Sequence, residues 1–206
     1  MHIVCLKLFQ SLGVGKMAPR FVEKGLVRRM LEERMRKGPL LRKLREEFFR
    51  AASKVYDAKR FEVQLLDDIK EAERTVVIIS PFLNKTKVES FINSREVKEA
   101  LERGVNIIAV TRPAAENQVG NIDEHKECIV ILGENGIRVF EQERLHFKSV
   151  IIDDAIIYLG SINPLSVITV KYVPPDYMVR FESEALVDEI IENALGRKTY
   201  ESWLSS

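Results

Sequence analysis

The sequence predicts an α/β fold, a mixed and largely parallel sheet flanked by helices, with a basic helical segment in front of it. Three observations lead there. From residue 61 onward short β-branched runs alternate with helical periodicity, the pattern of strand–helix–strand crossovers. Glycine, proline and Ser/Asn residues punctuate those runs where element ends need caps and turns. Charge divides the chain: residues 1–60 hold 16 Lys or Arg against 6 Asp or Glu, a net +10, and the remainder holds 16 against 25, a net −9, so the total of +1 hides a basic front and an acidic back.

In chain order, Phe21, Val22, Leu26, Met30 and Leu31 recur at helical spacing, Gly38-Pro39 breaks the run, and Leu41, Leu44, Phe48, Ala52 and Val55 resume it. Two amphipathic helices are expected. Arg42, Lys43, Arg45 and Arg50 fall largely off the second apolar stripe, placed either to meet phosphates or only to solvate the face. Thr75 to Ile79 reads as a buried strand ending in Ser80-Pro81-Phe82. Arg95 to Arg103 reads as a helix capped by Ser94 and closed by Gly104, and Val105 to Val110 as the next strand. Asn121 with Glu124 makes a capping box for a helix ending near Gly136, before a strand from Ile137 to Phe140. His146 to Ile152 and Ala155 to Leu159 follow, with Asp153-Asp154 as a tight turn between them. Pro174-Pro175 marks a loop before the strand Tyr177 to Phe181, and a helix from Glu184 to Leu195 ends at Gly196. The domains expected are residues 1–60, basic and helical, and residues 61–206, which carry the sheet.

Composition narrows the function classes. With 46% hydrophobic and 31% charged residues and no apolar run near the roughly 20 residues of a membrane span, a soluble domain without integral membrane association is expected. Met1 to Phe9 is apolar but interrupted by Lys7 and lacks a small-residue cleavage site, so the expected location is cytoplasmic. Cys5 and Cys128 are too few for a disulfide framework. His125 and Cys128, three apart on a helix, are two ligands without further partners and are assigned to structure, so no metal and no cofactor is expected. Trp203 is assigned to packing.

The chemistry gathers between residues 146 and 163. His146 and Lys148 are two apart in an expected strand and therefore project from one face, which Val150 and Ile152 share. Gly160, Ser161 and Asn163 follow the next strand, where glycine permits a close turn and the hydroxyl and amide can reach an anion. Together His146, Lys148, Asp153, Gly160, Ser161 and Asn163 complete the pattern H-x-K, four residues, D, six residues, G-S-x-N. At roughly 5% usage per residue type, a chance match in a chain of this length has a probability on the order of 10⁻⁵ to 10⁻⁶.

That pattern resembles the signature of the phospholipase D superfamily, and the surrounding strands and helices over residues 61–195 resemble it too. With one motif per chain, the sequence is most similar to Nuc-type endonucleases and to the phospholipase D-like domains fused to some helicases. The resemblance implies a phospholipase D-like catalytic domain over 61–206 acting as a metal-independent phosphodiesterase. It implies a homodimer that cleaves DNA or RNA through a phosphohistidine, and a helicase or other DNA-processing protein as a further partner. In those terms His146 is the nucleophile and proton carrier, Lys148 and Asn163 hold phosphate oxygens, Ser161 supports the phosphate pocket and Asp153 is a structural anchor. Single-motif relatives carry a glutamate before the strand after G-S-x-N, which orients the histidine; here Asp176 takes that place. A phospholipid-acting enzyme of the same superfamily and a nucleic-acid-binding module with lapsed catalysis are the alternatives.

Overall fold

Strands of Val and Ile, buried on both faces, organise the molecule, since such strands need a layer of helices on each side. In the computed structural model the described residues are 53–116, 121–166 and 176–205. They begin with β1 (Ser53–Asp57), α1 (Ala58–Glu71), β2 (Thr75–Ile79), α2 (Lys85–Asn93), α3 (Arg95–Glu102) and β3 (Asn106–Thr111). After a 3₁₀ turn (Ala114–Glu116) come α4 (Ile122–Glu134), β4 (Arg138–Glu141), β5 (Ser149–Ile152), β6 (Ile156–Gly160) and β7 (Tyr177–Glu182). The chain then runs through α5 (Glu184–Ile190), a π-helical turn (Ile191–Leu195) and α6 (Arg197–Ser205). Arg42, Lys43, Arg45 and Arg50, with most of the expected front helices, lie outside the described residues.

The sheet is seven-stranded in the order β1-β7-β6-β5-β2-β3-β4. The expectation of a mixed sheet holds, and its proportion is corrected. β2, β3 and β4 are parallel, as their helical crossovers require, but the pairings β1·β7, β6·β7, β5·β6 and β2·β5 are antiparallel. Val55, expected on a helical stripe, sits instead in β1 opposite Val179, exposed on an edge strand.

Side chains alternate across the sheet. Val76, Ile78, Ile107, Ala109, Val150, Ile152 and Tyr158 pack under α1 to α4, through Phe61, Leu65, Ile69, Val88, Val97 and Leu132 among others. Val77, Ile79, Ile108, Val110, Ile151 and Ile157 pack on the other face against Val187, Ile191, Tyr200 and Trp203 of the carboxyl-terminal helices. Trp203 is thus a packing residue, its ring 6.2 Å from that of Tyr200.

Helix ends follow their capping chemistry, with two exceptions. Asn121 caps α4 by accepting from the backbone N–H of Asp123 and Glu124 at 3.0 and 3.3 Å, and Gly136 follows at φ 80°. Glu124 does not return the bond; its carboxylate accepts from Asn84 Nδ2 and the Lys85 N–H at 3.1 and 2.9 Å, tying α4 to the start of α2. Ser94 precedes α3 as expected, but its hydroxyl donates backward to the Phe91 carbonyl at 2.7 Å rather than capping.

The two ends of β5 and β6 have different jobs. At one end Asp153 and Asp154 both have positive φ, 52° and 56°, and Ala155 N–H donates to the Ile152 carbonyl at 3.0 Å, the geometry of a two-residue hairpin turn matched to strand twist. The Asp153 carboxylate accepts from three backbone N–H groups, those of Glu73, Arg74 and Thr75, each at 2.8 Å. It thereby locks the turn to the start of β2. At the other end Gly160 pairs with Met178, and a Cβ there would stand 2.1 Å from the Tyr177 carbonyl oxygen. The signature glycine is required by this close approach of β7.

Candidate active site

The opposite end from Asp153 gathers the carboxyl ends of β1, β2, β3 and β6 with the amino ends of β5 and β7. His146 and Lys148 enter it just before β5. The strand does not extend back to them, as the sequence led one to expect, because its neighbour β2 ends at Ile79 and Pro81 lacks the N–H that would continue the ladder. Alternation nevertheless persists. Leu145 and Phe147 pack into the core beneath the carboxyl-terminal helices. His146 is left exposed and Lys148 half-buried. Lys148 Nζ donates to the His146 carbonyl at 2.9 Å, which folds the two cooperating groups against each other.

Asn163 arrives from the far side of β6. Gly160 passes beneath β7, and Ser161 is then pinned to Tyr177: its N–H donates to the Tyr177 carbonyl at 3.0 Å and its Oγ accepts from the Tyr177 N–H at 3.1 Å. A turn follows in which Ser166 N–H donates to the Asn163 carbonyl at 3.1 Å, with Pro164 fixing the backbone between them. The turn is moored by Leu165, fully buried, whose N–H donates to Ser80 Oγ at 3.1 Å and whose carbonyl accepts from Asn84 N–H at 3.0 Å. Ser80 therefore links the end of β2 to the loop that carries the amide. Asn163 Oδ1 is buried with no hydrogen-bond partner. Among the described residues that oxygen thus has no donor, and the Nδ2 amide is the group of Asn163 that could donate to an anion.

Asp176, just before β7, is exposed and lines with Asn163 an open cleft of about 230 Å³ that also includes Lys59 and Lys87. Its charge is felt at Lys148. Burial, then the nearby Arg112 guanidinium, push the Lys148 ammonium below its ordinary pKa, and Asp176 opposes them. His146, Lys148, Ser161, Asn163 and Asp176 thus occupy one end of the sheet, and Asp153 the other.

One residue of this end was missed in the sequence. Arg112 follows β3 directly, and its Nε donates to the Leu145 carbonyl. Its Nη2 lies 3.4 Å from His146 Nδ1, and its guanidinium carbon 4.9 Å from the centre of the Phe82 ring. His125, buried on α4, sits behind it, with Nε2 at 3.0 Å from the Arg112 carbonyl and 3.3 Å from Thr111 Oγ1. Burial pushes the His125 pKa down, so the neutral ring is favoured, and it pushes the Cys128 thiol up to about 11. Both side chains are buried within the fold. The signal that marks Arg112 is a charged residue at the carboxyl end of a buried strand, where α/β sheets bind ligands.

The sequence matches the family model described as "Cardiolipin synthase, PLD-like domain" over residues 65–169. The chain belongs to the phospholipase D superfamily. Among solved structures, Nuc, a phospholipase D family member from Salmonella typhimurium, has a TM-score of 0.55 at 15% identity, the match covering 73% of this chain and 94% of Nuc. NucT from Helicobacter pylori has a TM-score of 0.53 at 16% identity, covering 74% and 97%. Phosphatidylserine synthase from Haemophilus influenzae has a TM-score of 0.54 at 14% identity, covering 70% of this chain and 37% of its own. These likenesses are of fold. No curated protein matches the chain. Among the described residues no helix is long and apolar enough to cross a membrane, and no group of three or more His, Cys, Asp and Glu is placed to hold a metal ion.

Proposed function

We propose that this chain is a phosphodiesterase acting on nucleic acid as a homodimer, with His146 as the nucleophile and no metal in the chemical step. The observation that supports the reading is that the exposed His146, Lys148 folded against it and Asn163 lie at one end of the sheet, within a family whose signature they complete. His146 Nε2 attacks the phosphorus, forming a P–N bond as the bond to the leaving oxygen breaks; a second imidazole supplies the proton that oxygen takes, and water then displaces the histidine. Lys148 and Asn163 hold the non-bridging oxygens as charge develops. The chain has three histidines. His125 is buried in the Arg112 contact and the signature supplies one histidine per chain, so in this reading the second imidazole is His146 of another copy.

Nucleic acid is preferred as substrate because His146 is exposed and because residues 1–60 carry +10, a charge suited to a polyanion. In this reading Arg42, Lys43, Arg45 and Arg50 contribute phosphate contacts. The description of the matching family favours a second reading, a phospholipid as the phosphodiester.

Incubation with labelled DNA, RNA and phosphatidylglycerol vesicles, each with excess EDTA, separates the readings. Cleavage of DNA or RNA that survives chelation is the expected result. Cleavage confined to the vesicles would move the assignment to lipid, and activity abolished by EDTA and restored by Mg²⁺ would end the histidine mechanism. In the same assay Lys148→Ala should lower kcat/KM by about 3 to 4 kcal/mol of transition-state stabilisation, the scale of losing one anion-binding donor.

A further inference from the structure

We propose that Arg112 is a substrate-phosphate ligand of this site that alternates between two partners, His146 Nδ1 and a non-bridging phosphate oxygen, and so sets when His146 can act as a nucleophile. The inference rests on the phosphodiesterase reading above. It begins with charge. Among the described residues no carboxylate forms a salt bridge with Arg112, although Arg60, Arg95, Arg180 and Arg197 each have at least one. Instead a second cation, Lys148, lies close enough for the two to repel, and part of the depression of the Lys148 pKa comes from this guanidinium. Two half-buried cations held together destabilise each other until an anion bridges them.

The fork is also preorganised. Nε is fixed on the Leu145 carbonyl, the guanidinium plane lies over Phe82, and His125 holds the Arg112 peptide from behind. The contacts to the rest of the guanidinium are slight: Nη1 has no hydrogen bond among the described residues, and Nη2 makes only the 3.4 Å approach to His146 Nδ1. That distance is long for a hydrogen bond, whereas a guanidinium–phosphate bond is short, charge-assisted and roughly twice as strong as a neutral one. A phosphodiester should therefore engage Nη1 and draw Nη2 from the imidazole.

The exchange has a chemical consequence. Arginine can only donate, so while it faces Nδ1 it favours the tautomer in which that nitrogen offers its lone pair and the ring proton sits on Nε2. Nε2 is then no nucleophile. When phosphate draws Arg112 away, Nδ1 can accept a proton from solvent as Nε2 releases one. The ring keeps its charge, and the freed Nε2 lone pair faces phosphorus. Substrate binding and activation of the histidine become one event.

Nitrogen NMR of the full chain with ¹⁵N-labelled histidine, titrated with inorganic phosphate, reads this directly. His146 should be the Nε2–H tautomer without phosphate and shift toward Nδ1–H at saturation. Arg112→Met should weaken phosphate binding by about 10- to 100-fold and abolish the tautomer response. Arg112→Lys, which keeps the charge and loses the fork, should retain part of the affinity without restoring the response. A wild-type chain whose His146 tautomer ignores phosphate, or an Arg112→Met variant with wild-type phosphate affinity and wild-type kcat/KM on bis(4-nitrophenyl) phosphate, would overturn the proposal. If the wild-type chain binds phosphate through Arg112 with the expected tautomer shift yet cleaves no phosphodiester, the phosphodiesterase reading fails and the Arg112 site stands.

Discussion

Replacing His146 by alanine is expected to lower phosphodiester turnover by about 10⁴-fold or more, the scale of removing a nucleophile from residues that act as a unit. The fold should survive, because the imidazole is exposed and, among the described residues, only the 3.4 Å approach of Arg112 depends on it. Circular dichroism and thermal melting of the variant should match the parent, so the loss can be assigned to chemistry. Subunit exchange sharpens the result. In a dimer with one alanine subunit, either the nucleophile or the proton donor is missing, and mixed dimers should fall well below half of the parental rate. A folded His146→Ala variant turning over at the parental rate would remove the nucleophile from the account.

The second large effect is on stability. Asp68 of α1, 8% exposed, accepts from Arg180 Nε and Nη2 at 2.6 and 3.0 Å, from Tyr158 Oη at 2.5 Å and from Gln64 Nε2 at 3.2 Å. Burial, and then the bond to this carboxylate, hold the Tyr158 hydroxyl well above its ordinary pKa, so it remains the donor. Asp68→Ala takes the Nε and Nη2 partner from the Arg180 guanidinium, whose side chain is 11% exposed and which keeps only the exposed Glu182 at Nη1, and it leaves a buried hydroxyl unpaired. Removing one partner of a buried pair costs about 3 to 5 kcal/mol, a large share of the 5 to 15 typical of a whole domain. Urea unfolding should show that loss. Replacing Asp68 and Arg180 together by apolar residues should recover much of it, because the one charge then left without a partner, Glu182, is exposed to solvent. A single-variant loss under about 1 kcal/mol would mean that Glu182 and solvent suffice for Arg180. The pair matters to the site because Tyr158 and Arg180 lie on β6 and β7, the strands that present Asn163 and Asp176.

The parts legible in the sequence are those with local causes. β2 is a β-branched run, the Asp153-Asp154 turn announces a hairpin, and Gly104, Gly136 and Gly196 close helices with φ of 84°, 80° and 81°. α1 was missed although Asp57 caps it and Phe61, Leu65 and Ile69 form a helical stripe, because a domain boundary at residue 60 cuts through its first turn. β1 was missed for a different reason. As an edge strand it buries only Tyr56 among its described side chains, and Val55 fits equally well on the preceding helical stripe. Sheet direction was misjudged because the pairings β2·β5 and β1·β7 join strands distant in sequence, with no turn between them to show their sense. Arg112 escaped similarly: 34 residues separate it from His146, and only the fold brings the guanidinium to the imidazole.

The stereochemistry of hydrolysis tests the central claim most directly. A diester chiral at phosphorus through sulfur substitution, cleaved in ¹⁸O-labelled water, records each in-line displacement as one inversion. Attack by His146 followed by attack by water makes two displacements, so overall retention is predicted, together with a transient acid-labile phosphoryl adduct at His146 in rapidly quenched samples. Inversion without an adduct would contradict the account, because water would then have attacked phosphorus directly and His146 would be at most a base.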